Sequence, residues 1–232
     1  MAYALPSNSE LRAVIGDRMR ANQAKESDWL EDPNRFFLRA TRNIRVEVLP
    51  EDTMSPGLAA RRHGGVVELW PYVFREICTN GAIMARCGSG RQIDLADPDA
   101  RDLVAATADR CLSEQAWATC RASIAGTANQ HLDLAMALVP LMRRMGNYDS
   151  SFLMDVVQGL GQGRRLFDIM QAVTASAHRT TDPEEKWRRE EEGGSLAFLS
   201  ADDLDPRIGF AGASWDQHMD MAGSGRRLAG SR

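Results

Sequence analysis

The dipeptide Asn80-Gly81 divides two runs of strand-forming residues, Val66 to Thr79 and Ala82 to Cys87, and constrains the fold more than any other feature. Asn-Gly suits a type I′ turn, whose two central residues both take positive φ, so it predicts an antiparallel hairpin. A two-residue turn there pairs Thr79 with Ala82, Cys78 with Ile83 and Phe74 with Cys87. With Tyr72, these form one largely apolar face, broken by Glu76 opposite Ala85. On the other face Arg75 falls directly opposite Arg86. Like charges facing across a ladder are destabilising. That register therefore requires an anion, either a carboxylate from elsewhere in the fold or a bound ligand.

The flanking sequence reads as helix before the hairpin and mostly helix after it. Ser7 and Glu10 have capping-box spacing and open a helix over about 9–25, with Leu11, Val14, Ile15 and Met19 in one stripe. Residues 26–34 are polar and end in Asp32-Pro33-Asn34, a loop signal. Phe36-Phe37-Leu38 and Ile44 to Leu49 read as strands, and residues 50–65 as a mobile loop. Asp97-Pro98 opens a helix reaching about residue 122. Further helices are expected over 130–145, kinked at Pro140, over 150–160 and over 164–179. A last helix runs from Asp182-Pro183 to about Glu192, where Gly193-Gly194 breaks it. The predicted fold is α+β: an antiparallel sheet built on the Asn-Gly hairpin and packed by a C-terminal helical half. One domain covers 1–199, and 200–232 reads as a flexible tail.

Composition sets the broad class. The chain has 232 residues, a formal charge of −4, 44% apolar and 26% charged residues. That profile is globular and excludes collagen, low complexity and wholesale disorder. No apolar run approaches the roughly 20 residues of a membrane span, and the first ten residues are polar, so a cytoplasmic location away from membranes is expected. Cys78, Cys87, Cys111 and Cys120 form no C-x-x-C pair and read as reduced thiols. In one continuous helix Cys111 and Cys120 would lie on opposite faces. His63, His131, His178 and His218 have no metal-site spacing. No catalytic residue, metal or cofactor is assigned. Two enzymatic alternatives remain open: a zinc site using Cys78, Cys87 and His63, and a thiol activity using Cys78 and His178.

The basic residues are unevenly placed. Of the 28 Lys and Arg only Lys25 and Lys186 are lysines. Residues 35–91 hold nine arginines against five carboxylates, whereas 94–140 hold three against seven. A polyanion would find the first region and avoid the second. Arg39, Arg42 and Arg45 recur at spacing three, Arg61 and Arg62 adjoin Gly64-Gly65, and Arg75 and Arg86 lie on the hairpin beside Trp70, Tyr72 and Phe74. Arginine interleaved with aromatics suits contact with single-stranded nucleic acid. These seven arginines are the nucleic-acid-binding candidates.

Two stretches carry a family resemblance. Arg75-Glu76-Ile77-Cys78-Thr79-Asn80-Gly81 resembles the R-x-V-C-T/S-N-G segment of the phage/plasmid-like family, domain of unknown function 932. Leu166 to His178, with Ala172 and Thr174, resembles that family's later W/L-x-x-x-N-A-V/I-T-x-x-A helix, and Glu190 to Gly194 its acidic stretch and glycine. Arg75, Cys78, Asn80, Gly81, Ala172 and Thr174 are the motif positions. Two departures stand out: Gln171 replaces the family's asparagine, and Ala60 to Gly64 replaces an N-S-E-x-G segment. The resemblance implies a phage, prophage or plasmid gene acting in a bacterial host cell. By analogy with phage single-strand annealing proteins, it implies an oligomeric, non-enzymatic, single-strand-binding role in DNA recombination. A protein-binding accessory, such as an inhibitor of a host factor, is the other alternative.

Overall fold

A computed structural model describes residues 5–33, 35–76, 79–132, 150–200 and 203. Seven strands form one antiparallel sheet: β1 (Ala24–Asp32), β2 (Arg35–Arg42), β3 (Val46–Leu49), β4 (Asp52–His63), β5 (Val66–Arg75), β6 (Asn80–Ile83) and β7 (Arg91–Asp94). Six helices accompany it among the described residues: α1 (Asn8–Ala21), α2 (Ala100–Cys111), α3 (Glu114–Ala128), α4 (Ser150–Leu160), α5 (Leu166–Ser176) and α6 (Pro183–Leu196). The α+β class with its helices mainly C-terminal is the one expected. None of these helices is long and apolar enough to cross a membrane.

The long central pair is β4 with β5. One edge of β4 is filled by β2 and, further along, β3. One edge of β5 is filled by β7 and then β6. Both central strands contain a proline, which cannot donate to a ladder. Pro56 lies where the β3 pairing has ended at Met54 and the β2 pairing begins at Gly57. Pro71 lies between the β7 partner Leu69 and the β6 partner Tyr72. The missing N–H thus faces a junction in each case. Residues 50–65 are therefore not a mobile loop. Their Pro and Gly positions are tolerated because of where the neighbouring strands stop, and β4 is buried along almost its whole length.

The hairpin exists, but in another register. Arg75 pairs with Asn80, Phe74 with Gly81, Val73 with Ala82 and Tyr72 with Ile83. Thr79 stands at φ 50, and Asn80-Gly81 open β6 instead of turning. Tertiary contacts explain the preference. The Asn80 side chain is buried against α5. A Cβ on Gly81 would stand 1.9 Å from the Tyr72 hydroxyl, so the Tyr72 ring needs glycine there. Arg86 lies in a single 3-10 turn, Ala85–Cys87, and does not face Arg75.

Other expectations shift as well. The Ser7–Glu10 capping box forms, and α1 ends at Ala21. Residues 26–32 belong to an edge strand, not a loop. The helix expected from 97 to 122 is two, because Ser113 caps a new helix with its side chain accepting from the Ala116 N–H. The last helix continues through Gly193-Gly194 to Leu196. The helix expected over 130–145 and the tail expected over 200–232 fall almost wholly outside the described residues, and the motif residue Cys78 lies outside them.

Both faces of the sheet are covered. On one face Leu11, Ile15, Val104 and Ala108 of α1 and α2 pack against Phe36, Leu38, Leu58, Ala60, Val67 and Leu69. On the other, Trp187 of α6 packs against Phe37, Ala59, Tyr72 and Ile83. Helices α3, α4 and α5 close the end of the sheet around Met54, Val73 and Ala82.

Candidate functional site

The stretches that carry the family resemblance meet at one place. Asn80 Nδ2 donates to Thr174 Oγ1 at 2.7 Å and to Gln171 Oε1 at 3.2 Å. Arg75 Nη1 donates to the same Gln171 oxygen at 3.2 Å, and its guanidinium lies 5.5 Å from the Phe167 ring. Arg75 Nε also donates to Asp52 Oδ2 at 2.7 Å. Gly193 packs on Thr174, and Gly194 on the Ile83 backbone, so closely that a Cβ would come within 2.3 Å and 2.2 Å. Hairpin, α5 and the glycine pair of α6 therefore form a single clamp. Gln171, which departs from the family pattern, still serves as acceptor to two motif residues. The anion that Arg75 requires is Asp52, an internal carboxylate that is 4% exposed. Beside the clamp is a cavity of about 10 Å³, near the size needed for one water. Asn80 Oδ1 has no hydrogen-bond partner there among the described residues.

A second polar layer lies between the sheet and α6. Arg39 Nε donates to Glu190 Oε2 at 2.6 Å, both side chains being almost fully buried. Arg39 and Lys186 both contact Asp28. Arg61 bonds Glu68 and Glu184, and its guanidinium sits 4.9 Å from the Trp187 ring. Burial holds the Glu190 carboxyl above its ordinary range despite the Arg39 charge. Burial likewise raises Glu191, which accepts from Trp187 Nε1. Exposed His178 contacts the Thr79 backbone, and desolvation together with the Lys186 charge lowers its pKa. This layer consumes cations.

The seven candidate arginines do not form one open surface. Arg39, Arg61 and Arg75 are paired as above, with Arg39 buried. Arg62 is buried and donates to Pro6, Asn8 and Gly64 oxygens. Arg42 reaches Glu114 and the Leu112 carbonyl. Arg45 is 72% exposed and paired with Glu76, and Arg86 is exposed. Trp70, Tyr72 and Phe74 all adjoin the Trp187 cluster, so none forms an open stacking platform.

An open cationic concavity lies elsewhere, between α1 and β1. This groove of about 650 Å³ is lined by Ser9, Arg12, Ala13, Gly16, Arg20, Lys25 and Glu26, with Met19, Ala24 and Leu38 beneath. Ser9, Arg12, Ala13, Gly16 and Arg20 recur at helical spacing on the face of α1 turned away from the buried Leu11 and Ile15. Arg12 contacts Glu26 at 3.1 Å and lies 4.2 Å above the Trp29 ring. Arg20 pairs with Asp17, and both are exposed. Lys25 is exposed and makes no ion pair among the described residues. Sequence reading passed over these residues because α1 and β1 together hold more acids than bases; only the small-residue spacing on the polar face of α1 hinted at a concavity. Among the described residues no cluster of three or more His, Cys, Asp or Glu could hold a metal ion. Comparison of the chain with protein-family models, curated proteins and solved structures gives no match.

Proposed function

We propose that this chain is a non-catalytic protein of mobile-element DNA metabolism that binds single-stranded nucleic acid in the groove between α1 and β1. The observation that carries the reading is the groove lining: three cationic side chains, Arg12, Arg20 and Lys25, against one carboxylate, Glu26. The ion pairs there are solvent-exposed, and exposed pairs are worth only about 0–1 kcal/mol, so a phosphate can displace Glu26 or Asp17 at little cost. The buried pairs of Arg39 and Arg75 offer no such exchange, since leaving a buried charge unpaired costs about 3–5 kcal/mol. Ser9, Ala13 and Gly16 leave room for a backbone to lie close to α1. The groove volume of about 650 Å³ falls within the usual range of ligand sites.

The test is a salt titration of a labelled single-stranded oligonucleotide, with size analysis of the same sample. Three phosphate contacts on a single strand give a log–log slope near −2, about a 20-fold loss of affinity from roughly 50 to 200 mM salt. Arg20→Ala and Lys25→Ala should each flatten that slope by about 0.7, while Arg45→Ala leaves it unchanged. Undetectable binding at low salt, a salt-independent affinity, or groove variants that bind like the parent would each refute the reading.

A further inference from the structure

The break between α2 and α3 brings three thiols together outside the groove. Cys120 Sγ, on α3, lies 3.5 Å from Cys87 Sγ at the end of the 3-10 turn. Cys87 Sγ also contacts Ser89 Oγ at 3.7 Å, and Cys111 Sγ, at the end of α2, bonds the Ser89 carbonyl at 3.7 Å. All three are free thiols; Cys111 and Cys120 are buried and Cys87 is half-buried. A reagent from solvent therefore meets Cys87 first, with Cys120 in contact behind it.

We propose that Cys87 and Cys120 are a reversible dithiol–disulfide pair, in which Cys87 reacts with a peroxide and Cys120 resolves the product. The Cys87 thiolate attacks one oxygen of the peroxide. The O–O bond breaks, the other oxygen leaves as alcohol or water after taking a proton, and Cys87 becomes a sulfenic acid. The Cys120 sulfur then gives up its proton and attacks the Cys87 sulfur. The S–O bond breaks, hydroxide leaves and is protonated to water, and the S–S bond forms. Two thiols lose two electrons and two protons in all, and the peroxide is reduced. Closing the sulfurs from 3.5 Å to about 2.05 Å requires a movement of roughly 1.5 Å. The short turn can supply it, because Gly88 follows at φ 79 in open space. The hydrogen bond from Cys120 also draws the Cys87 thiol down to about 6, whereas that bond and burial push Cys120 up. That shift favours the Cys87 thiolate, which is the reactive form.

Hydrogen peroxide treatment of the whole chain, followed by alkylation and peptide mapping, tests this. The intact mass should fall by about 2 Da, with Cys87 linked to Cys120, and dithiothreitol should reverse it. Cys111→Ser should keep the link. Cys120→Ser should lose it and leave Cys87 as a sulfenic acid, about 16 Da heavier. Alkylation of Cys87 in the parent chain should rise with a midpoint at about pH 6. A link through Cys111 or Cys78, oxidation of Cys87 without any link, or an alkylation midpoint near the ordinary value of about 8.5 would overturn the proposal. The map and midpoint of the parent chain decide the matter even where a variant fails to fold.

Discussion

Arg75 holds three things at once: the Asp52 carboxylate from β4, the Gln171 amide from α5 and the face of Phe167. Removing it leaves Asp52 buried without its charged partner, and breaking a buried pair costs about 3–5 kcal/mol. Arg75→Ala should therefore lower the melting temperature by roughly 6–20 °C, taking about 2–4 °C per kcal/mol for a domain of this size. Arg75→Lys should recover only part, because an ammonium cannot reproduce the two-sided guanidinium fork. A melt of Arg75→Ala that overlays the parent would show that Asp52 is satisfied in some other way. The need for an anion at Arg75 was readable from the sequence, although the reason given for it, an Arg86 opposite, was not correct. Asn80-Gly81 misled for a physical reason. Asn80 serves a long-range contact with Thr174 and Gly81 makes room for the cross-strand Tyr72 ring, and local turn preference reports neither.

At the scale of elements, glycine has two opposite roles. Gly193-Gly194 reads as a helix breaker, yet α6 runs through it because its missing side chains let the helix rest on α5 and β6. Gly194→Ala would put a methyl 2.2 Å from the Ile83 carbonyl oxygen, and backbone cannot yield there as a flexible side chain could. That overpacking should cost about 1–3 kcal/mol. Gly16 is the contrasting case, since a Cβ there meets only the end of Arg20 at 3.6 Å. Gly16→Ala, in the interior of α1, should stabilise the fold by about 0.5–1 kcal/mol. Denaturant melts of the two variants should move in opposite directions, and movement in the same direction would contradict the packing described for α6. Two of the three capped starts were legible: the Ser7–Glu10 box and Asp182-Pro183 both form as the residues suggest, whereas Asp97-Pro98 stays in the turn before α2, which begins at Ala100. Strand β4 was not, because its proline and glycine signal a loop unless the ends of the neighbouring strands are known.

Across the whole molecule, the arginine surplus of residues 35–91 is not a surface. Asp28, Asp32, Glu114, Glu184 and Glu190, all outside that segment, pair with its Arg39, Arg35, Arg42 and Arg61. A charge count along the chain sees the cations gathered and misses carboxylates that arrive from more than 70 positions away, as Glu114 does for Arg42 and Glu190 for Arg39. The groove between α1 and β1 shows the converse. Its segment of chain is acidic on balance, yet its concave side presents Arg12, Arg20 and Lys25. Where a strand binds is therefore the question on which the account depends. Hydrogen exchange of the chain with and without a single-stranded oligonucleotide at low salt answers it. The account predicts slowed exchange confined to amides of about residues 9–26. Slowing centred on residues 39–86, or no change at a saturating oligonucleotide concentration, would contradict it.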